Sequence, residues 1–303
     1  MGWSEKSSLV AATLLGLALS PPAFAEPIPP QPLWGQLESS RLVVVARVES
    51  KERLRVLETW KGERSLSEVP VSTPENLVCP APGRFVVGET VLAFLTLGKD
   101  WTLAPGEDDG RWHPVGLSYG TLYLDPAGLD AYRTLAKKAL ALQQRGKVTE
   151  AERIAWLLEA TAHAATRWNG LMDLDESSTW DPVKEMRVEF TPLARKLTPR
   201  QRGELVRSFV AEPSGVGDLV RVLPMVAGVR DPRLEGTVVE VLDRELTDDC
   251  AHDLLDALEP VARWAGVPPP SLPDRIWYLT KEARREAIHD AWFDLRTRIL
   301  TTR

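Results

Sequence analysis

Cysteine, histidine and long apolar runs are all scarce in this 303-residue chain, which has two cysteines and four histidines. Cys79 and Cys250 stand far apart in sequence. In an oxidising compartment they can pair, and as small apolar residues they can equally remain two buried thiols. His113, His163 and His289 have no neighbour of the zinc-protease or hydrolase kind, and His163 reads as a packing or capping residue of a helix. Beyond the N-terminus no uninterrupted apolar stretch approaches the roughly 20 residues that span a bilayer, so no membrane anchor is expected there. Basic blocks are missing too. The 37 basic and 43 acidic residues leave a net charge of −6. That is a poor match to a phosphate backbone, and no nucleic-acid partner is expected.

What is present begins with an export signal. Lys6 precedes an uncharged apolar run from Leu9 to Leu19, Pro21-Pro22 break any helix, and Ala23-Phe24-Ala25 supplies the small residues a signal peptidase needs. This order is the secretory pattern. Residues 1–25 are expected to be removed and the rest to work in the periplasm or outside the cell. Glu26, not cysteine, directly follows that cleavage site, so no lipid attachment is expected at the new terminus. Residues 26–32 form a proline-rich start. The hydrophobic fraction of 44% suits packed cores, and the length suits about two domains.

Two periodicities divide what remains. Residues 33–125 read as β-structure. In 41–49 Leu42, Val44, Ala46 and Val48 alternate onto one face, and 53–60 gives a second strand before Lys61-Gly62. Val69 and Val71 flank Pro70, which places that strand at an edge. Residues 90–97 are apolar on both faces, as a central strand is. Trp101–Leu103 and Trp112–Leu117 flank the turn signal Asp109-Gly110, and 121–124 closes the series. Short strands at this density predict a small barrel or sandwich.

After Asp125 the period becomes 3.6. Asp125-Pro126 starts a connecting helix and hinge over 126–148, with Leu129, Tyr132, Ala136 and Ala139 on one face and Gly146 ending the helix. Residues 149–303 read as all-helical. Thr149 and Glu152 predict a capping box for one helix whose stripe runs Ile154, Leu158, Thr161, Ala165, Trp168. Thr198-Pro199 with Gln201, Asp231-Pro232 and Thr247 repeat the start chemistry, Pro224 should kink or divide its helix, and Ile288, Ala291, Trp292, Leu295 and Ile299 mark the last stripe. The expected class is therefore α+β, a small barrel followed by a helical domain that is either an α-solenoid or an irregular bundle.

The β-half resembles the netrin-like family, the OB-type barrels typified by tissue inhibitors of metalloproteinases. The resemblance rests on Ser40–Val48, Glu58-Thr59-Trp60-Lys61-Gly62, Cys79-Pro80, and Phe85-Val86-Val87-Gly88-Glu89 running into Val91–Leu95. The helical half is more loosely similar to HEAT-like repeats, through Trp156–Leu174 and Asp231-Pro232-Arg233. The first likeness implies the fold and an inhibitor-like role. It does not carry the inhibitors' chemistry, in which an N-terminal cysteine chelates a protease zinc, because cleavage here exposes Glu26-Pro27.

Three motifs invite a catalytic or metal reading, and each lacks a part. Gly116-Leu117-Ser118-Tyr119-Gly120 has the serine-hydrolase pattern but leads into a strand, not a helix. Asp173-Leu174-Asp175-Glu176 opens like a calcium loop, yet Ser178 stands where glycine belongs and Lys184 where the bidentate glutamate belongs. Asp248, Asp249, Cys250, His252 and Asp253 gather ligand types, but Cys250 and His252 point apart on a helix, and acidic residues there suit the helix dipole. No metal, cofactor or catalytic residue is expected. Of the eleven tryptophans, Trp34, Trp101 and Trp112 are the candidates to line a binding groove. The function these features favour is non-catalytic binding of another exported or envelope protein. The alternative is an exported hydrolase whose site assembles between the two parts.

Overall fold

The computed structural model describes residues 31–73, 84–98, 110–176, 178–181, 186–189, 191–229, 231–246 and 251–301. Residues 1–25, read above as an export signal, and Cys79, Trp101, Thr247 and Cys250 lie outside them. The class is mixed. A short helix, α1 (Leu33–Ser39), precedes a six-stranded antiparallel sheet curled into a half-barrel, and eight further α-helices are described after it.

The sheet order is β3 (Glu68–Pro70), β2 (Arg53–Lys61), β1 (Leu42–Ser50), β4 (Thr90–Leu97) and β5 (Trp112–Pro114), with β6 (Thr121–Leu122) also paired to β4. The proline strand is at the edge, where a missing N–H costs no ladder bond. β1 lies between β2 and β4, and both its faces are buried. Leu42, Val44, Ala46 and Val48 pack with Leu54, Val91, Ala93 and Leu95, while Val43 and Val45 join Leu92 and Phe94 against the helices. In β2 the register jumps from Val45↔Glu58 to Ala46↔Val56, which makes Leu57 a bulge residue. The bulge reverses the alternation. Val56 packs on the first of these cores, but Glu58 turns toward the helices and accepts from Arg133 Nε at 2.9 Å.

Arg133 belongs to α2 (Pro126–Gln144), whose cap is the expected one: the Asp125 carboxylate accepts from the Gly128 N–H, and Pro126 is the first helical residue. Tyr132, Leu135, Ala136 and Ala139 pack onto Val43, Val45, Leu92 and Phe94. The same apolar core continues through the helical half as far as Trp292.

The helix expected from Thr149 past Trp168 is two helices, α3 (Glu150–Thr161) and α4 (Ala164–Asp175). The capping box starts α3 as anticipated. His163 is extended and caps α4, its Nδ1 accepting from the Ala165 N–H at 3.1 Å. Carbonyls at the end of α3 are satisfied from α4: Thr166 Oγ1 donates to Ala160 and Arg167 Nε to Thr161. A break whose orphan acceptors are recovered in this way costs little. The apolar stripe runs across it because both helices bury the same side, so periodicity alone could not show the corner.

The later helices are α5 (Pro199–Ala211), α6 (Val216–Met225), α7 (Pro232–Glu245), α8 (Ala251–Ala265) and α9 (Lys281–Thr301), with a hairpin of β7 (Ser178–Asp181) and β8 (Met186–Glu189) before α5. Pro224 ends α6 one residue later, whereas Pro260 sits inside α8. The helices range from 10 to 21 residues, and α6 packs on α4 and α8 rather than on one sequential neighbour. No repeat of a single unit is shown.

Candidate functional site

The serine motif is a structural turn. Gly116 is left-handed, Leu117–Gly120 form one turn of 3-10 helix, and β6 follows. A β-carbon at Gly120 would lie 2.3 Å from the Val115 carbonyl oxygen, so glycine there is a steric requirement. Tyr119 stacks on Trp168 with ring centroids 6.1 Å apart, and its carbonyl accepts from Gln36 Nε2 at 2.6 Å. The motif thus ties the sheet to α1 and α4. Asp173 and Asp175 belong to the end of α4 instead of a loop, and Asp248, Asp249 and Cys250 lie outside the described residues. Among the described residues no three His, Cys, Asp or Glu side chains gather in a way that could hold a metal ion, and no helix is long and apolar enough to cross a membrane.

The candidate tryptophans separate. Trp34 is buried in the core between sheet and helices, while Trp112 packs against the core on the other face of the sheet. They share no groove, and Trp101 lies outside the described residues. The reason is pairing: the half-barrel sheet stands between the two positions.

Two clefts do bring chemistry together. The first, of about 550 Å³, opens between α4, α6 and α8. Trp168, Val220, Leu223 and Trp264 give it an apolar lining, and Asp175, Arg221, Asp256 and Arg263 bring charges of both signs. Asp218, also in the lining, accepts from Ser214 Oγ at 2.6 Å, and burial holds its carboxyl above the usual range. Beneath the cleft the fully buried Arg167 donates to the Glu212 carbonyl and to Ser214 Oγ, both at 2.7 Å, with its guanidinium 5.3 Å over the Phe209 ring.

The second cleft, of about 520 Å³, lies where α1, the α2–α3 connection and the end of α4 meet. Trp34 forms one wall and packs edge-on against Trp156 at 5.2 Å. The Arg153 guanidinium is 5.6 Å over Trp34 and 3.6 Å from Asp173 Oδ2. Asp173 is 5% exposed, and its Oδ2 accepts no hydrogen bond. Burial pushes this carboxyl up to about 6; Arg153 opposes the rise, and Glu176 and Glu38 add to it. Burial likewise raises the Glu176 carboxyl. A shifted carboxyl beside a fixed cation in a cleft is the arrangement binding sites use.

No protein-family model matches this chain, and comparisons with curated proteins and with solved structures find no match either. Of these side chains only Trp34 stood out in the sequence as a binding candidate; Arg153, Trp168 and Trp264 did not. Arg153 lies one turn into the capping-box helix, and Trp168 and Trp264 sit at ordinary stripe positions, so only the packing of three helices distinguishes them.

Proposed function

We propose that this protein is an exported, non-catalytic binding module whose partner is another exported or envelope protein. The observation that carries the reading is the cleft between α4, α6 and α8, with aromatic walls from Trp168 and Trp264 amid charges of both signs. Apolar anchors inside a polar surround are how protein interfaces concentrate their affinity. The half-barrel supplies no chemistry of its own in this reading. It braces the cleft through the Tyr119–Trp168 stack, and the netrin-like kinship of the sheet belongs to the same proposal, as does an inhibitor-like role.

Capture of partners by residues 26–303 from an envelope extract, identified by mass spectrometry, tests it. Trp264→Ala should weaken capture by about 10-fold or more, the loss typical of an aromatic anchor, while Ser118→Ala should leave it unchanged. A hydrolytic activity lost on Ser118→Ala would replace this reading with that of an exported hydrolase.

A further inference from the structure

The second cleft holds an unmet demand. Arg153 is the nearest cation to Asp173, but stacking on Trp34 keeps its guanidinium 3.6 Å from Oδ2. That is an ion pair without a hydrogen bond, and buried carboxylate oxygens are normally hydrogen-bonded. Arg153 Nε is itself buried with no acceptor. Glu38 from α1 and Glu176 just beyond α4 line the same space, Glu176 interacting with Arg153 and Glu38 with Lys61 of β2. Glu150, at the start of α3, is already engaged by Lys196. Four carboxylates thus meet three cations, which leaves the cleft short of one positive charge and of one donor at Asp173.

We propose that this cleft binds a protonated amine or guanidinium, the end of a basic side chain, which donates to Asp173 Oδ2 with Glu38 and Glu176 beside it and Trp34 as an aromatic wall. The charges favour a cation, the buried oxygen fixes where its N–H points, and the small exposed part of Trp34, whose ring Arg153 already covers, borders the methylene stem. The site is separate from the cleft at Trp264 and stands or falls without it. Protonation of Asp173 removes the acceptor. Binding accordingly weakens as pH falls through the range near 6 in which this carboxyl titrates, with Glu38, Glu176 and Arg153 as the charged groups facing it.

The test is a titration of the protein with acetyl-lysine amide, acetyl-arginine amide and the uncharged acetyl-norleucine amide, followed on the tryptophan indole NMR signals. At pH 7.5 one or both basic probes should bind saturably, and norleucine at least about 10-fold more weakly, the worth of a charge-assisted bond. The lysine and arginine arms distinguish ammonium from guanidinium. Asp173→Asn should weaken the basic probe by about 10-fold and reduce its pH dependence to what Glu176 contributes, whereas Trp264→Ala should leave both unchanged. Glu176→Gln, at the half-buried edge, should weaken it by about 3-fold and serves if Asp173→Asn does not fold. Equal binding of norleucine, no saturable binding of either basic probe, or a basic probe indifferent to these carboxylate substitutions would overturn the proposal.

Discussion

Gly170 of α4 lies so close to Leu157 of α3 that a β-carbon on it would stand 2.6 Å from the Leu157 carbonyl oxygen and 2.7 Å from Thr161 Cγ2. This contact sets how tightly the α3–α4 corner closes. Because the obstruction includes backbone, the corner must open to admit a methyl group. Gly170→Ala should therefore destabilise the protein by about 2 kcal/mol or more, the range of overpacked cores. Gly236 in α7 is exposed and has open space around it, so Gly236→Ala should instead stabilise by about 0.5–1 kcal/mol. Urea denaturation of both variants checks the pair, and equal effects would show that the contact is not limiting.

Arg167 should be among the most sensitive polar positions. It is 0% exposed and donates to the carbonyls of Thr161, Ser208 and Glu212 and to Ser214 Oγ. Arg167→Met keeps length and packing but removes the guanidinium donors to the Thr161 and Glu212 carbonyls and Ser214 Oγ, while the Ser208 carbonyl keeps the Glu212 N–H. A loss of about 3 kcal/mol or more is expected by denaturation. Lysine should not rescue it, because one ammonium cannot reproduce the guanidinium fork.

Two carboxyls predict opposite pH trends. Thr149's backbone N–H and hydroxyl, with Arg145 next, hold Glu152 down at about 2. Its folded value lies below the unfolded one, so its stabilisation is present above about 4.5 and is lost as pH falls toward 2. Asp173 is raised from 3.8 to about 6 by burial. Its contribution is fully present below the unfolded value and is lost as pH rises through 6, a penalty on the order of 3 kcal/mol at neutral pH. Denaturation between pH 3 and 8 should therefore show Asp173→Asn gaining on the parent as pH rises. Parallel curves would mean that Asp173 ionises without strain.

The sheet face made by Val43, Val45, Leu92 and Phe94 is covered by α2 and the helices beyond it. A fragment ending at Asp125 should expose that face and show no cooperative melting, while the chain from residue 26 melts in a single transition seen alike by near- and far-ultraviolet circular dichroism. A cooperative transition in the fragment would establish the half-barrel as an independent domain.

The proposed export makes a prediction of its own. Protein recovered from an exporting host should have the intact mass of a chain beginning at Glu26. A soluble product that retains residues 1–25 would remove the basis for export.

Much of the local structure was legible in the residues themselves. The caps at Asp125, Thr149, Thr198 and Asp231, the edge strand at Pro70 and the buried stripe from Ile288 to Ile299 all follow from chemistry within a few residues of each site. Backbone propensity and side-chain periodicity are local, and these features need nothing else. The corner at His163 was not legible, because its orphan carbonyls are satisfied by Thr166 and Arg167 while the stripe runs on unbroken. Nor was the reversal of β2 at Leu57, which exists only relative to the register of β1. The clefts belong to the same class. Trp34 lies far in the chain from Arg153 and Asp173, and Trp168 and Trp264 line one cleft only because α4 and α8 both pack on α6. Tertiary structure decided these sites because desolvation and charge proximity depend on which distant segments share a space.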